Sequence, residues 1–234
     1  MSTSNQITWT GTFTPAAGTV DGTNVCTLAT SYTDVAGNAG PGATTNNYVV
    51  ETTIPTSSVT SISDTSLIEG DTAVITIVLS EANSGFTNAD VTCANGDLAA
   101  LSVAGDGVTY TGTFTPTAET SDTTNTCIVG TGWTDTLGNT PTGITSANYI
   151  VDGVDPEVST IAMSDSSLIE GETSVLTIVF TEAVAAFASA DDVTCDNGAL
   201  AVMTSCDQIT WTGAFTPSAD LVDATNTCTV ADSY

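Results

Sequence analysis

The chain repeats itself at an interval of 101 residues. Ile7-Thr8-Trp9-Thr10-Gly11-Thr12-Phe13-Thr14-Pro15 returns at Val108–Pro116 and again at Ile209–Pro217, and Cys26, Cys127 and Cys228 keep the same interval. So do Asp34 with Asp135, Tyr48 with Tyr149, Pro55 with Pro156 and Glu81 with Glu182. Self-similarity at a fixed period of domain length marks tandem modules, each able to bury a core of its own. The spacing predicts the C-terminal part of a module in residues 1–52, a complete module in 53–153, and the N-terminal part of another, lacking its last strand, in 154–234. The chain opens inside one repeat and closes at Tyr234, the counterpart of Trp133 and Tyr32, so it reads as a window onto a longer array.

Charge narrows what such modules can do. There is no Lys, Arg or His against 27 acidic residues. The side chains therefore offer no ion pair, no cationic clamp for phosphate and no imidazole base. A nucleic-acid partner is excluded, because affinity for phosphates rests on cationic side chains. Hydrophobic residues still make up 41% of the chain, too many and too regularly placed for an acidic disordered tail. No apolar run approaches the roughly 20 residues of a membrane helix. No basic-plus-apolar leader follows Met1, so an export signal would lie outside this stretch.

Within the complete repeat, Ala73, Ile75, Ile77 and Leu79 alternate with Val74, Thr76, Val78 and Ser80, the period-2 pattern of a strand with one buried face. Val108, Tyr110, Gly112 and Phe114 share a face in the same way, with the glycine marking a bulge or a close approach. Further strands are predicted at Ser57–Ser63, Ala89–Ala94, Leu98–Val103, Asn125–Thr131 and Ser146–Val151. Turns are predicted at Ile68-Glu69-Gly70-Asp71, Asn95-Gly96-Asp97, Gly105-Asp106-Gly107 and Leu137-Gly138-Asn139. About seven short strands in about 100 residues define an all-β fold of tandem immunoglobulin-like β-sandwich modules. No helix is expected, since β-branched residues dominate and Gly or Pro interrupts the longer stretches.

The segments Ile62-Ser63-Asp64-Thr65-Ser66-Leu67, Ile77-Val78-Leu79-Ser80-Glu81-Ala82, Phe86-Thr87-Asn88-Ala89-Asp90-Val91, Gly112-Thr113-Phe114-Thr115-Pro116 and Thr134-Asp135-Thr136-Leu137-Gly138-Asn139 resemble the bacterial Ig-like repeats in the extender regions of giant biofilm-type and RTX adhesins. The resemblance runs the length of the chain. It implies a calcium-stiffened stalk that holds a terminal binding domain away from the cell. The cysteines depart from the usual pattern, so the family gives no guide to their role.

Cys93 lies on the predicted third strand and Cys127 on the sixth, neighbours in one sheet of such a sandwich. Cys195 and Cys228 repeat the arrangement. Recurrence of the pair predicts two disulfides and an oxidising compartment, the alternative being buried free thiols. With no His and two such Cys per module, a four-ligand zinc site is not expected. Cys26 corresponds to Cys127, but its partner would precede Met1, so it is unpaired or intermolecular. Cys206 stands where the complete module has Gly105 and is the odd thiol.

Topology also sorts the acids. One pole of the sandwich carries the incoming linker with Glu51, the second-to-third connection with Glu81, and the sixth-to-seventh with Asp135 and Asn139. Oxygen groups from three segments would converge there as Ca²⁺ requires. Asp152, Asp155 and Glu182 occupy the matching places at the next junction. The far pole supplies Asp64, Glu69 and Asp71, repeated as Asp165, Glu170 and Glu172. For any one of these residues the plainer role is a solvated loop carboxylate.

No catalytic site is expected. A Ser or Thr nucleophile has no His or Lys base, and Asp191-Asp192 would point to opposite sides of a strand. Trp9, Tyr110 and Trp211, with Phe13, Phe114 and Phe215 four residues on, read as core rather than as a ligand platform. The expected function is a structural stalk of an extracellular or cell-surface adhesin or fibre, its modules contacting their neighbours. Two other readings stay open. One is a self-assembling filament whose part-modules are completed by strand exchange between chains. The other is a module that binds a carbohydrate or protein through its pole loops.

Overall fold

The computed structural model describes residues 1–3 and 7–231; Tyr234, where the third repeat closes, lies outside them. The chain divides into two compact units, Met1–Val154 and Asp155–Tyr234.

The first unit opens with short strands: β1 (Ser2–Thr3), β2 (Trp9–Thr10), β3 (Val20–Asn24), β4 (Thr27–Leu28), β5 (Ala43–Thr44) and β6 (Tyr48–Glu51). They pair two by two, as β1-β2, β3-β6 and β4-β5. β6 is the counterpart, one repeat earlier, of the strand expected at Ser146–Val151, and it begins only at Tyr48. Trp9 and Phe13 are 57% and 60% exposed, although the equivalent Phe114 is fully buried. They therefore correct the expectation of core aromatics in all three repeats: Phe13 meets Tyr48 edge-on at 5.6 Å, but among the described residues no strand like β9 pairs beside β2.

The complete module follows, with β7 (Ser57–Ile62), β8 (Ser66–Ile68), β9 (Ala73–Leu79), β10 (Asn83–Ser84), β11 (Val91–Cys93), β12 (Gly96–Leu98), β13 (Ser102–Val103), β14 (Thr109–Pro116), β15 (Ser121–Asn125), β16 (Cys127–Val129), β17 (Thr134–Asp135), β18 (Ile144–Thr145) and β19 (Tyr149–Asp152). One layer runs β12-β14-β9-β7, with β13 also on β14. The other consists of two three-stranded ladders, β11-β16-β18 and β15-β19-β8, where β16 follows β15 and β19 follows β18 along the chain. A short β10-β17 pair stands apart. Alternation on β9 buries Ala73, Ile75, Ile77 and Leu79, and these meet Phe114 on β14 and Leu67, Val91, Cys127, Val129, Tyr149 and Val151 from the opposite layer. Each large aliphatic side chain buried there contributes roughly 1.5–3 kcal/mol.

Four expected strands are shorter or split; the one expected at Ser146–Val151 begins only at Tyr149. The one expected over Leu98–Val103 is interrupted between β12 and β13, both paired to β14. Gly112 on β14 lies beside the break: a Cβ there would press on Leu98, Leu101 and the carbonyl of Ala99, so the glycine admits a close approach. The strand expected at Ala89–Ala94 begins only at Val91, after a 3-10 turn at Asn88–Asp90. The sixth begins early, at Ser121, and breaks at Thr126.

The second unit repeats the plan with β20 (Val158–Met163), β21 (Ser174–Phe180), α1 (Ser189–Asp192), β22 (Val193–Cys195), β23 (Gly198–Leu200), β24 (Thr210–Pro217) and β25 (Cys228–Val230). Its sheets run β20-β21-β24-β23 and β22-β25 around Leu176, Ile178, Phe180, Val184, Phe187, Val193 and Met203. The one-turn helix α1 and the 3-10 turn correct the expectation of no helix. Between Phe187 and Val193 there is one residue more than between Phe86 and Val91, which widens the 3-10 turn into α1. Asp191 and Asp192 thus lie on a helical turn, not on a strand. Asp192 takes the place of Asp90: each carboxylate accepts the backbone N–H that opens its turn, Ala188 at 2.7 Å and Thr87 at 2.8 Å. Each residue's carbonyl also receives a later strand, from Ala231 and Gly130.

Candidate functional site

The cysteines meet across paired strands. Cys93 on β11 stands opposite Cys127 on β16, with S–S 2.00 Å and Cα atoms 4.0 Å apart. Ala94 donates its N–H to the carbonyl of Thr126, so the neighbouring 93/127 pair is a non-hydrogen-bonded one, where side chains come closest. Cys195 and Cys228 repeat this on β22 and β25, again with Cα atoms 4.0 Å apart. Cys26 and Cys206 are exposed free thiols. Cys26 lies 3.7 Å from the Tyr48 hydroxyl.

Below each disulfide lies a polar knot that sequence reasoning missed. Asn95 holds a left-handed backbone (φ 52°) and donates its amide to Asp122, at 3.0 Å, and to the Asn125 side-chain oxygen, at 2.6 Å. Asn125 is fully buried and donates to the carbonyls of Asp122 and Tyr149. Burial, with Asp122 nearby, pushes the Tyr149 phenol up to about 12, and its O–H donates to the carbonyl of Ala94. Asn197, Asp223 and Asn226 rebuild the knot in the second unit. The signal was the Asn-Gly pair after each first cysteine, read only as a turn. The glycine answers a second need, because a Cβ on Gly96 or Gly198 would overlap the ring of Phe114 or Phe215.

Glu51, Glu81, Asp135 and Asn139 come together at one pole of the first unit. Asp135 is buried; one of its oxygens accepts the N–H groups of Leu137, Gly138 and Asn139 at 2.7–2.9 Å, and the other accepts the Asn139 amide at 2.6 Å. Burial opposes its ionisation, yet these bonds outweigh burial and hold its pKa below the usual 3.8. Asn139 also donates to the carbonyl of Glu51, at 3.1 Å. Glu81 is half-buried, and its pKa is raised by burial and by the charges of Asp135 and Glu51. Among the described residues no three acidic or cysteine side chains are placed to hold one metal ion together. Asp135 and Asn139 first of all close a loop, as Asp34 and Asn38 do earlier in the chain.

Asp152 ends β19 and is exposed, Asp155 is exposed, and Glu182 is half-buried in the second unit. At the far pole, Asp64 accepts the N–H of Ser66 and Asp71 that of Ile68, while Asp165 and Glu172 do the same for Ser167 and Ile169. Backbone amides stand in here for the cations the chain lacks.

Each repeat is therefore an immunoglobulin-like β-sandwich or part of one, with a cross-strand disulfide in both units. The sequence matches the bacterial Ig-like domain family in three consecutive stretches, residues 1–50, 51–151 and 152–234, and the chain belongs to that family. No curated protein matches it. Among the described residues no helix is long and apolar enough to cross a membrane.

Proposed function

We propose that this chain works mechanically, as disulfide-stapled Ig-like modules in the stalk of an extracellular or surface-attached bacterial adhesin or fibre. The observation that carries the reading is the cross-strand disulfide at the same register in two successive modules, Cys93–Cys127 and Cys195–Cys228. Such bonds persist in oxidising compartments and cap how far a pulled module extends. Ca²⁺ bound by Glu51 and Glu81, with the remaining lone pairs of Asp135, would stiffen the first unit. What supports it is the raised pKa of Glu81, which burial and then the charges of Asp135 and Glu51 push up; a divalent cation would relieve the charge part.

Small-angle scattering and thermal melts, in millimolar Ca²⁺ and then in excess chelator, test the calcium. The expected result is a longer maximum dimension and a higher Tm with the ion. No change in either would leave these acids as loop residues. Thiol mapping of material isolated from its native source tests the compartment, since free thiols at both pairs would remove the extracellular reading.

A further inference from the structure

We infer that Asn95–Gly96 is a deamidation site which the polar knot holds shut, so that opening the complete module marks it covalently and lastingly. The chemistry needs only water. The backbone nitrogen of Gly96 attacks the side-chain carbonyl carbon of Asn95, and the new C–N bond closes a five-membered imide. The amide nitrogen of Asn95 leaves as ammonia, taking the proton that Gly96 gives up. Water then adds to either imide carbonyl, and the ring opens to an aspartate or an isoaspartate. Nothing is oxidised or reduced. Asn-Gly is the pair that suits this step, because glycine has no Cβ to hinder the approach and leaves the peptide free to turn. Of the asparagines in the chain, only Asn95 and Asn197 precede a glycine.

The fold blocks the attack at both ends of Asn95. Its side-chain amide donates to Asp122 at 3.0 Å and to Asn125 at 2.6 Å, so the carbonyl carbon cannot swing towards Gly96 without giving up both bonds. Its backbone carbonyl accepts the N–H of Thr117 at 3.0 Å, which fixes the peptide that would have to rotate. A site closed in this way reacts only through opening. The second unit is built alike: Asn197, at φ 54°, donates to Asp223 and Asn226, and its carbonyl accepts the N–H of Ser218.

The mark lasts because of what surrounds it. The N–H and hydroxyl of Thr124 hold the Asp122 carboxyl below its usual pKa, so it is charged at neutral pH. An acid at position 95 would take away the donor that Asp122 and Asn125 share, and would face Asp122 with a like charge. A module that has opened and reacted therefore cannot rebuild its knot. The site depends neither on the calcium nor on the stalk.

The test incubates the full chain in mildly alkaline buffer made with heavy-oxygen water, once native and once reduced in urea, and maps peptic fragments by mass. Asn95 should convert roughly tenfold or more faster in the opened chain, to aspartate and isoaspartate that each carry one solvent oxygen. Asp122→Ala should raise the rate in the native chain by about threefold to tenfold, since it removes one of the bonds. Asn95→Asp, the product itself, should lower the melting temperature of the complete module. An Asn95 that stays intact in the opened chain overturns the site. Equal rates in native and opened chains overturn the closure, and an unchanged rate in Asp122→Ala overturns the knot as its cause. An Asn95→Asp chain that melts as the unmodified one does overturns the lasting mark.

Discussion

Cys93 and Cys127 face each other from adjacent strands of one sheet, not across the sandwich, and lie 34 positions apart along the chain. The stretch between them is closed off from a pulling force. Reducing the bond should lengthen the extended complete module by about 110–120 Å, at roughly 3.3–3.6 Å per residue. Single-molecule extension with and without reductant reads this directly. Replacing both cysteines by serine should also lower stability by about 3–4 kcal/mol in the loop-entropy account.

Acid should act in two opposite windows. Asp106, Asp122, Asp135, Asp207 and Asp223 have pKa values held below 3.8 by backbone and side-chain donors. Their contribution is present above the unfolded value and is lost as pH falls below 3.8 through the folded values. Glu81 runs the other way. Its folded pKa lies above 4.5, so the penalty of ionising it fades as pH falls from neutral towards 4.5. Thermal melts in chelator from neutral to acid pH should show a small rise in Tm and then a decline. Glu81→Gln should remove the rise and spare the decline.

Gly96→Ala should destabilise the complete module by about 1–3 kcal/mol, because the new Cβ would overlap Phe114 and the carbonyl of Thr115. Gly105→Ala meets nothing within contact range and should change stability by roughly 0.5 kcal/mol or less. Denaturant unfolding of the two variants separates packing from turn propensity.

Asp90→Ala should cost about 1 kcal/mol, since its carboxylate receives the N–H and hydroxyl of Thr87. Asp192→Ala should cost a similar amount in the second unit, where Ala188 is the donor. Chemical denaturation of each variant checks both, and amide exchange at Thr87 and Ala188 should speed up.

The repeat interval, the β9 alternation and the cysteine register were legible because each is written in local spacing. Ser66–Ile68 was not. It is three residues long, borders a turn, and becomes a strand only by pairing in parallel with Tyr149–Asp152, far along the chain. The partners of the acids at the poles were not foreseeable. Asp135, Asp64 and Asp71 bond to backbone N–H groups, which nearly every residue possesses and no motif announces. The exposure of Trp9 and Phe13 was hidden for another reason: the same motif is core or surface according to which strands pair beside it in its own sheet.

The reliance of these carboxylates on backbone amides sets how the chain answers to ionic strength. Proteins that lean on surface pairs of opposite charge lose some of that attraction as salt is added. Here no side-chain cation exists, and the formal charge is −27. Dissolved ions have only mutual repulsion to screen, so brine should firm both units, and very dilute water is the medium that strains them most.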